Sequence, residues 1–285
     1  MAELGTQYFL GNTEIINSFV GDVSVLINPT SGPEYPIPLD GLVMFLDGTQ
    51  NMDTSSGYWY NSYGGNVTAS LFGSPTWDSE NGVLSISNVQ GFFTTPTPGP
   101  IDLRYTPEYT VIYGGRYSGS VSDKHGRMLT SQLVPPAGNT NLLYNWTLGN
   151  YSGSYAGLPS TGPAYLAPDP VNGKFVFPPS GSYDTNWRVF GAVCEFTESG
   201  VSDIRKQRFF LNGTFITASL PSASVYPAGP YGVSINIGSF TDGGTSSPTF
   251  ENSNCEVTDI LVYNRTLSDA EVQLVSDFLS NRIPV

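Results

Sequence analysis

The stretch Asn254-Cys255-Glu256-Val257-Thr258-Asp259-Ile260-Leu261-Val262-Tyr263-Asn264-Arg265-Thr266-Leu267-Ser268-Asp269-Ala270-Glu271-Val272, running on to Ile283, decides the fold. A strand-like run reaches Tyr263-Asn264-Arg265, turns through Thr266-Leu267 and hands over to a helix. Ser268 and Glu271 have capping-box spacing, in which each side chain satisfies a backbone N–H at the helix start. Val272, Val275, Phe278 and Leu279 fall three and four apart, so the helix has one face to bury. It is the only helix the sequence signals clearly.

Outward from this stretch the chain reads as strands. Gly41-Leu42-Val43-Met44-Phe45-Leu46-Asp47 is a compact apolar run, and Gly82-Val83-Leu84-Ser85-Ile86 is another. Trp187-Arg188-Val189-Phe190-Gly191-Ala192-Val193 followed by Phe209-Phe210-Leu211-Asn212-Gly213 reads as a hairpin with Asn-Gly at its turn. Only 12% of the 285 residues are charged, whereas there are 32 Gly and 22 Pro and 13% of residues are aromatic. That profile belongs to short strands joined by turn-rich loops. The predicted fold is all-β, a two-sheet antiparallel sandwich with a short C-terminal helix, and 39% apolar content suffices for two facing sheets.

The order of these pieces resembles laminin-G-like, concanavalin A-type jelly-roll domains. The resemblance rests on the strand–turn–helix ending and on the opening strand that closes in Leu46-Asp47. It rests also on the turn Trp59-Tyr60-Asn61-Ser62, the stretch Gly64-Gly65-Asn66, the run Leu71-Phe72-Gly73-Ser74-Pro75-Thr76-Trp77 and the central hairpin. Ser62-Tyr63-Gly64 stands where the family has Ser-Gly. The match covers roughly residues 39 to 283 and implies a domain over 39–285.

Ahead of it, Phe9-Leu10-Gly11-Asn12-Thr13-Glu14-Ile15 recurs ten residues later as Phe19-Val20-Gly21-Asp22-Val23-Ser24-Val25. Each unit reads as one strand plus a turn. A short hairpin cannot bury an apolar side alone, so residues 1–28 are expected to form an attachment arm. Its docking residues would be Phe9, Leu10, Ile15, Phe19, Val20 and Val25, which could dock on the chain's own jelly roll or add strands to an edge of a neighbouring chain. Residues 29–38, with four prolines, form a semi-extended linker. Such repeats before a laminin-G-like domain resemble structural proteins of tailed bacteriophages. That resemblance implies a virion protein assembled in the host cytoplasm, with other virion proteins as partners, and the exposed edges of the repeat arm favour a homo-oligomer or docking to another protein.

Charge and cysteine content bound the function. Eleven Lys+Arg against 24 Asp+Glu give −13, so the basic footprint of a nucleic-acid binder is missing. No apolar run approaches a membrane span, and Met1-Ala2-Glu3-Leu4-Gly5 lacks a basic signal-peptide start. Cys194 and Cys255 are too few for a disulfide framework and are expected as buried thiols. The five sequons, at Asn66, Asn145, Asn150, Asn212 and Asn264, are read as turn composition rather than glycosylation sites.

Catalysis is not expected from the sequence. A retaining glycosidase needs two carboxylates about 5–5.5 Å apart. Glu256 and Asp259 are three apart on a strand, which predicts opposite faces, and Glu195 and Glu198 share that spacing. His125, the one histidine, reads as part of a polar loop, and no Gly-x-Ser-x-Gly elbow exists. No zinc site is readable. No cofactor is expected, although the oxygen-rich turns at Asp47, Asp53 and Asp242 could take calcium.

Binding is the better reading. Tyr, Asn, Ser and Gly together make adaptable contact surfaces, and two regions are rich in them. One is Tyr58-Trp59-Tyr60-Asn61-Ser62-Tyr63. The other contains Asn145, Asn150, Tyr151, Tyr155, Tyr165, Tyr183, Asp184 and Asn186. From the second, Tyr151, Tyr155, Tyr165, Tyr183, Asp184 and Asn186 are the candidate glycan- or partner-binding residues. Trp59, Trp77, Trp146 and Trp187 are read as core. The functional expectation is therefore a non-enzymatic phage surface protein, serving as capsid decoration, fibre or tail component. The alternatives are a lectin or adhesin for a host-surface glycan and, less favoured, a jelly-roll glycoside hydrolase.

Overall fold

The computed structural model describes residues 8–10, 13–15, 17–20, 23–26, 35–63, 68–87, 90–94, 101–102, 108–118, 125–134, 143–151, 162–167, 174–176, 185–198, 202–216, 224–227, 232–237, 240–241, 248–249 and 254–284. It falls into two compact units, Met1–Ile37 and Pro38–Val285. The larger unit is an all-β antiparallel sandwich with one helix, Asp269–Ser280, among the described residues. No helix there is long and apolar enough to cross a membrane.

One sheet runs Thr214–Phe215, Ser202–Leu211, Arg188–Glu198, Glu108–Tyr117, Cys255–Tyr263, Val83–Ile86, Thr76–Asp78. The opening strand Leu42–Leu46 pairs with Cys255–Tyr263 and continues the line of Val83–Ile86 along the same edge. The other sheet runs Lys174–Val176, Gly162–Ala167, Leu143–Tyr151, His125–Val134, Gly232–Ile237, Gly91–Thr94, Thr68–Phe72, Tyr58–Tyr60, Met52–Asp53. Met44, Leu46, Val111, Tyr113, Ala192 and Ile260 of the first sheet meet Trp59, Ala69, Ile235 and Ile237 of the second in one buried core.

The first sheet is covered on its other face by the helix. Val272, Val275 and Leu279 are buried, each contributing about 1.5–3 kcal/mol on burial, and Phe278 meets Phe45 edge-on at 6.3 Å. That second layer explains why the opening and closing strands read as unbroken apolar runs rather than alternating ones. Both of their faces are buried. The helix start forms as its sequence predicts: Ser268 accepts from the Glu271 N–H, and Glu271 accepts from the Ser268 N–H at 2.8 Å.

Asn212 and Gly213 have φ of 47° and 77°, both positive as a two-residue hairpin turn requires. They join Ser202–Leu211 to the short strand Thr214–Phe215. The strands Arg188–Glu198 and Ser202–Leu211 do pair, with Phe190 opposite Leu211, but Asn-Gly is not the turn between them. His125 is also placed differently from expectation, since it begins the strand His125–Val134. Both cysteines are buried thiols outside any disulfide, as expected, and desolvation pushes the Cys255 thiol far above its ordinary pKa.

In the smaller unit each repeat is a hairpin of two strands, not one strand with a turn. Tyr8–Leu10 pairs with Thr13–Ile15, and Asn17–Val20 pairs with Val23–Leu26. Tyr8 stands opposite Ile15 and Leu10 opposite Thr13, while Ser18 stands opposite Val25 and Val20 opposite Val23. The ten-residue sequence period is thus also the period of the pairing.

Candidate functional site

The chain leaves the opening strand at Asp47 and turns back toward the outer edge of the second sheet. There Met52–Asp53 pairs with Tyr58–Tyr60, which pairs with Thr68–Phe72. Strand alternation sends Trp59 inward, fully buried, where its indole N–H donates to the Asp47 carbonyl at 3.1 Å. Tyr58 and Tyr60 therefore face outward, 41% and 42% exposed, among the few large hydrophobic side chains left open in the described residues. Their rings lie 6.0 Å apart, tilted by 40°.

The pair stands on a fixed base. Next along the chain, Asn61 accepts from the Phe45 N–H at 2.9 Å and donates to the Val43 carbonyl at 3.1 Å. A side chain just past the end of a second-sheet strand is thereby tied to the backbone of the first sheet. Ser70 is opposite Tyr58 and Thr68 opposite Tyr60, so the pairing sets hydroxyl residues beside the tyrosines.

Asp53 stands opposite Tyr58 on the other side. Its Oδ1 accepts from the Ser55 N–H at 2.9 Å, the Ser55 hydroxyl at 2.6 Å and the Ser56 N–H at 3.1 Å. The Ser55 and Ser56 donors hold its carboxyl down at about 2, so it is charged at any ordinary pH. Oδ2 accepts no hydrogen bond from the described residues. Two ring faces, flanking hydroxyls and a free carboxylate oxygen on a rigid edge make a surface suited to a ligand with apolar C–H faces and hydroxyl donors.

Asp47 has a different role from the calcium ligand its turn suggested. It is buried and pairs with Arg282 at 2.6 Å, and it also accepts from the Thr49 N–H and hydroxyl and from Gln50. Arg282 reaches Asp259 as well, at 3.0 and 3.1 Å. Burial pushes the Asp259 carboxyl up against the pull of Arg282. Burial likewise works against the Arg282 charge, yet the two carboxylates hold its pKa above the ordinary value. Among the described residues no cluster of three or more His, Cys, Asp or Glu could hold a metal. Asp242 lies outside them.

The closing strand does not alternate regularly. Gly115 pairs with Val257 but Tyr113 pairs with Ile260, so Thr258 and Asp259 share the place opposite Gly114. This bulge shifts the parity. Cys255, Val257, Ile260 and Val262 all face the inter-sheet core, which puts both Glu256 and Asp259 on the opposite face. The expectation that they point apart is therefore corrected. Glu256 pairs with Arg116 at 2.5 Å, and Arg116 also covers the Trp187 ring.

Of the second Tyr-rich region, Tyr151 lies in a strand opposite His125 and Gly162, and Tyr165 lies opposite Leu148 and Val176. Asn186 is exposed just before Arg188–Glu198. Tyr155, Tyr183 and Asp184 lie outside the described residues, as does Trp146 for its side chain. Trp59 is core, whereas Trp77 and Trp187 are half-buried. The six arm residues all fall in the paired strands of the smaller unit.

No protein-family model matches the sequence, and no curated protein matches it significantly. Solved structures do match. Trypanosoma rangeli sialidase in complex with 2,3-difluorosialic acid, a covalent intermediate, is 17% identical with a TM-score of 0.59, over 86% of this chain and 33% of that one. The same sialidase with sialic acid is 17% identical with a TM-score of 0.58, over 86% and 34%. This chain spans about a third of the length of those sialidases. At such identity the likeness establishes the fold, a β-sandwich. It also corrects the expectation that the chain is not an enzyme. The matched structures are of enzymes, so the fold is one that enzymes contain. The bulge removes the opposite-faces objection to Glu256 and Asp259, though not to Glu195 and Glu198, whose strand pairs in regular register.

Proposed function

We propose that the chain is a virion structural protein of a tailed bacteriophage whose sandwich, a laminin-G-like domain, binds carbohydrate on the host surface. The observation that carries the reading is the exposed Tyr58/Tyr60 pair beside Asp53, on an edge whose backbone is tied into both sheets. Ring faces stack on the C–H faces of sugars, and the carboxylate accepts hydrogen bonds from their hydroxyls. Solved structures of sialidases holding sialic acid share the sandwich, which supports a carbohydrate ligand. The ten-residue repeat of paired hairpins supports an attachment role for the arm. Two-stranded hairpins are marginal alone, and their strands can be completed by another virion subunit or by a second copy of the chain.

The test is immunogold electron microscopy of purified particles, with antibody against residues 39–283, for the intact chain and for a chain lacking residues 1–37. Regular labelling that vanishes on deletion is the expected result. Absence of label from particles made with the intact chain would overturn the virion reading. Host-cell binding by the free protein, with or without release of oligosaccharide, would then define a lectin or a glycoside hydrolase.

A further inference from the structure

We infer that the Tyr58/Tyr60 edge selects an uncharged, hydroxyl-rich oligosaccharide over a sialylated one, with Asp53 as the residue that sets the preference. The inference rests on the carbohydrate reading above and names the class of sugar that the same site takes.

Three observations lead to it. First, Asp53 is opposite Tyr58 in the strand pairing, so its carboxylate borders the ring that a sugar would cover. Its Oδ1 is consumed by the Ser55 and Ser56 turn, while Oδ2 remains an acceptor for a hydroxyl. A carboxylate can accept from a neutral sugar, whereas another carboxylate brought to the same place is repelled.

Second, no compensating cation stands on this edge among the described side chains. Arg116, Arg188, Arg208, Arg265 and Arg282 all belong to the first sheet or the C-terminal segment. Four of them already pair with Glu256, Asp269, Glu271 and the two buried aspartates. Third, the chain's net charge of −13 adds a general field against an anionic ligand. The aromatic geometry is indifferent to charge and favours length. Two tilted rings 6.0 Å apart, two residues along one strand, can each meet one ring of a chain of linked pyranoses.

The experiment is equilibrium titration of the intact chain with a panel of paired oligosaccharides, each pair differing only in a terminal sialic acid, such as lactose and sialyllactose. Neutral members are expected to bind about tenfold or more tightly than their sialylated partners. The gap should narrow as salt rises from 0.01 to about 1 M, because exposed charges are screened. Asp53→Asn keeps an oxygen for the Ser55/Ser56 turn and replaces the free acceptor with a donor. It should shrink the gap further, with thermal unfolding of the variant confirming the fold. Equal or tighter binding of the sialylated members, or a gap that neither salt nor Asp53→Asn alters, would overturn the inference and leave the carbohydrate reading standing. Binding of no member of the panel would overturn both.

Discussion

Asp47 and Asp53 lie six residues apart, each begins a turn with hydroxyl residues just after it, and the protein uses them in opposite ways. Asp47 is buried at the junction of three segments, where Arg282 draws it together with Asp259. Asp53 stands at the outer edge, held by its own Ser55 and Ser56, with one oxygen open. A carboxylate taken out of water needs a fixed cation, while a surface one needs only local donors. The first can only serve structure. The second is available to a ligand, and the contrast makes the two ends of this short segment separable by mutation.

The largest effect is expected at Arg282. Arg282→Met leaves two buried carboxylates uncompensated and should cost about 3–5 kcal/mol in urea unfolding. A loss under about 1 kcal/mol would mean that the corner does not hold the fold. Gly48→Ala comes next. Its added Cβ would lie 2.1 Å from the carbonyl oxygens of both Gly82 and Thr258, backbone atoms that cannot swing aside, so a cost at or above the upper end of about 1–3 kcal/mol is expected. Ser268→Ala removes the helix cap and should cost about 1 kcal/mol by the same measurement.

A pH titration separates the two kinds of carboxylate further. Arg265, chiefly, holds Glu271 down at about 2 from an ordinary 4.5. A depressed acid stabilises the fold fully above its unfolded pKa. Stability from this pair should therefore be constant above about pH 4.5 and fall as pH drops toward 2. Urea midpoints across that range should show a smaller fall for Glu271→Gln, and an unchanged slope would contradict the pairing. The smallest change in stability is expected at the open edge. Tyr58→Ala with Tyr60→Ala should move it by no more than about 0.5 kcal/mol each.

Much of the fold was legible because it depends on local rules. The capping box Ser268–Glu271, the apolar spacing of Val272, Val275 and Leu279, and the unbroken strand Leu42–Leu46 each state their own burial. The ten-residue repeat also showed itself, though not that each unit pairs with itself. What the sequence hid was set by distant partners. Arg282 meets Asp47 235 residues away, and nothing near Arg282 announces it. An Asp closing an apolar strand was the one hint. The bulge at Thr258-Asp259 was equally silent, because it arises from pairing with Tyr113 and Gly115, and a strict period of two then misplaces every later side chain. Tyr58 and Tyr60 were visible as aromatics on either side of a Trp59 read as core, but their place at an outer edge beside Asp53 follows only from the pairing with Met52–Asp53.

The most direct test of the central claim is binding of the intact protein and of the Tyr58→Ala/Tyr60→Ala variant to a broad oligosaccharide array, with thermal unfolding of both. The wild type should bind a defined set of glycans, and the variant should lose them while unfolding at nearly the same temperature. A variant that unfolds normally and keeps the same glycans would contradict it.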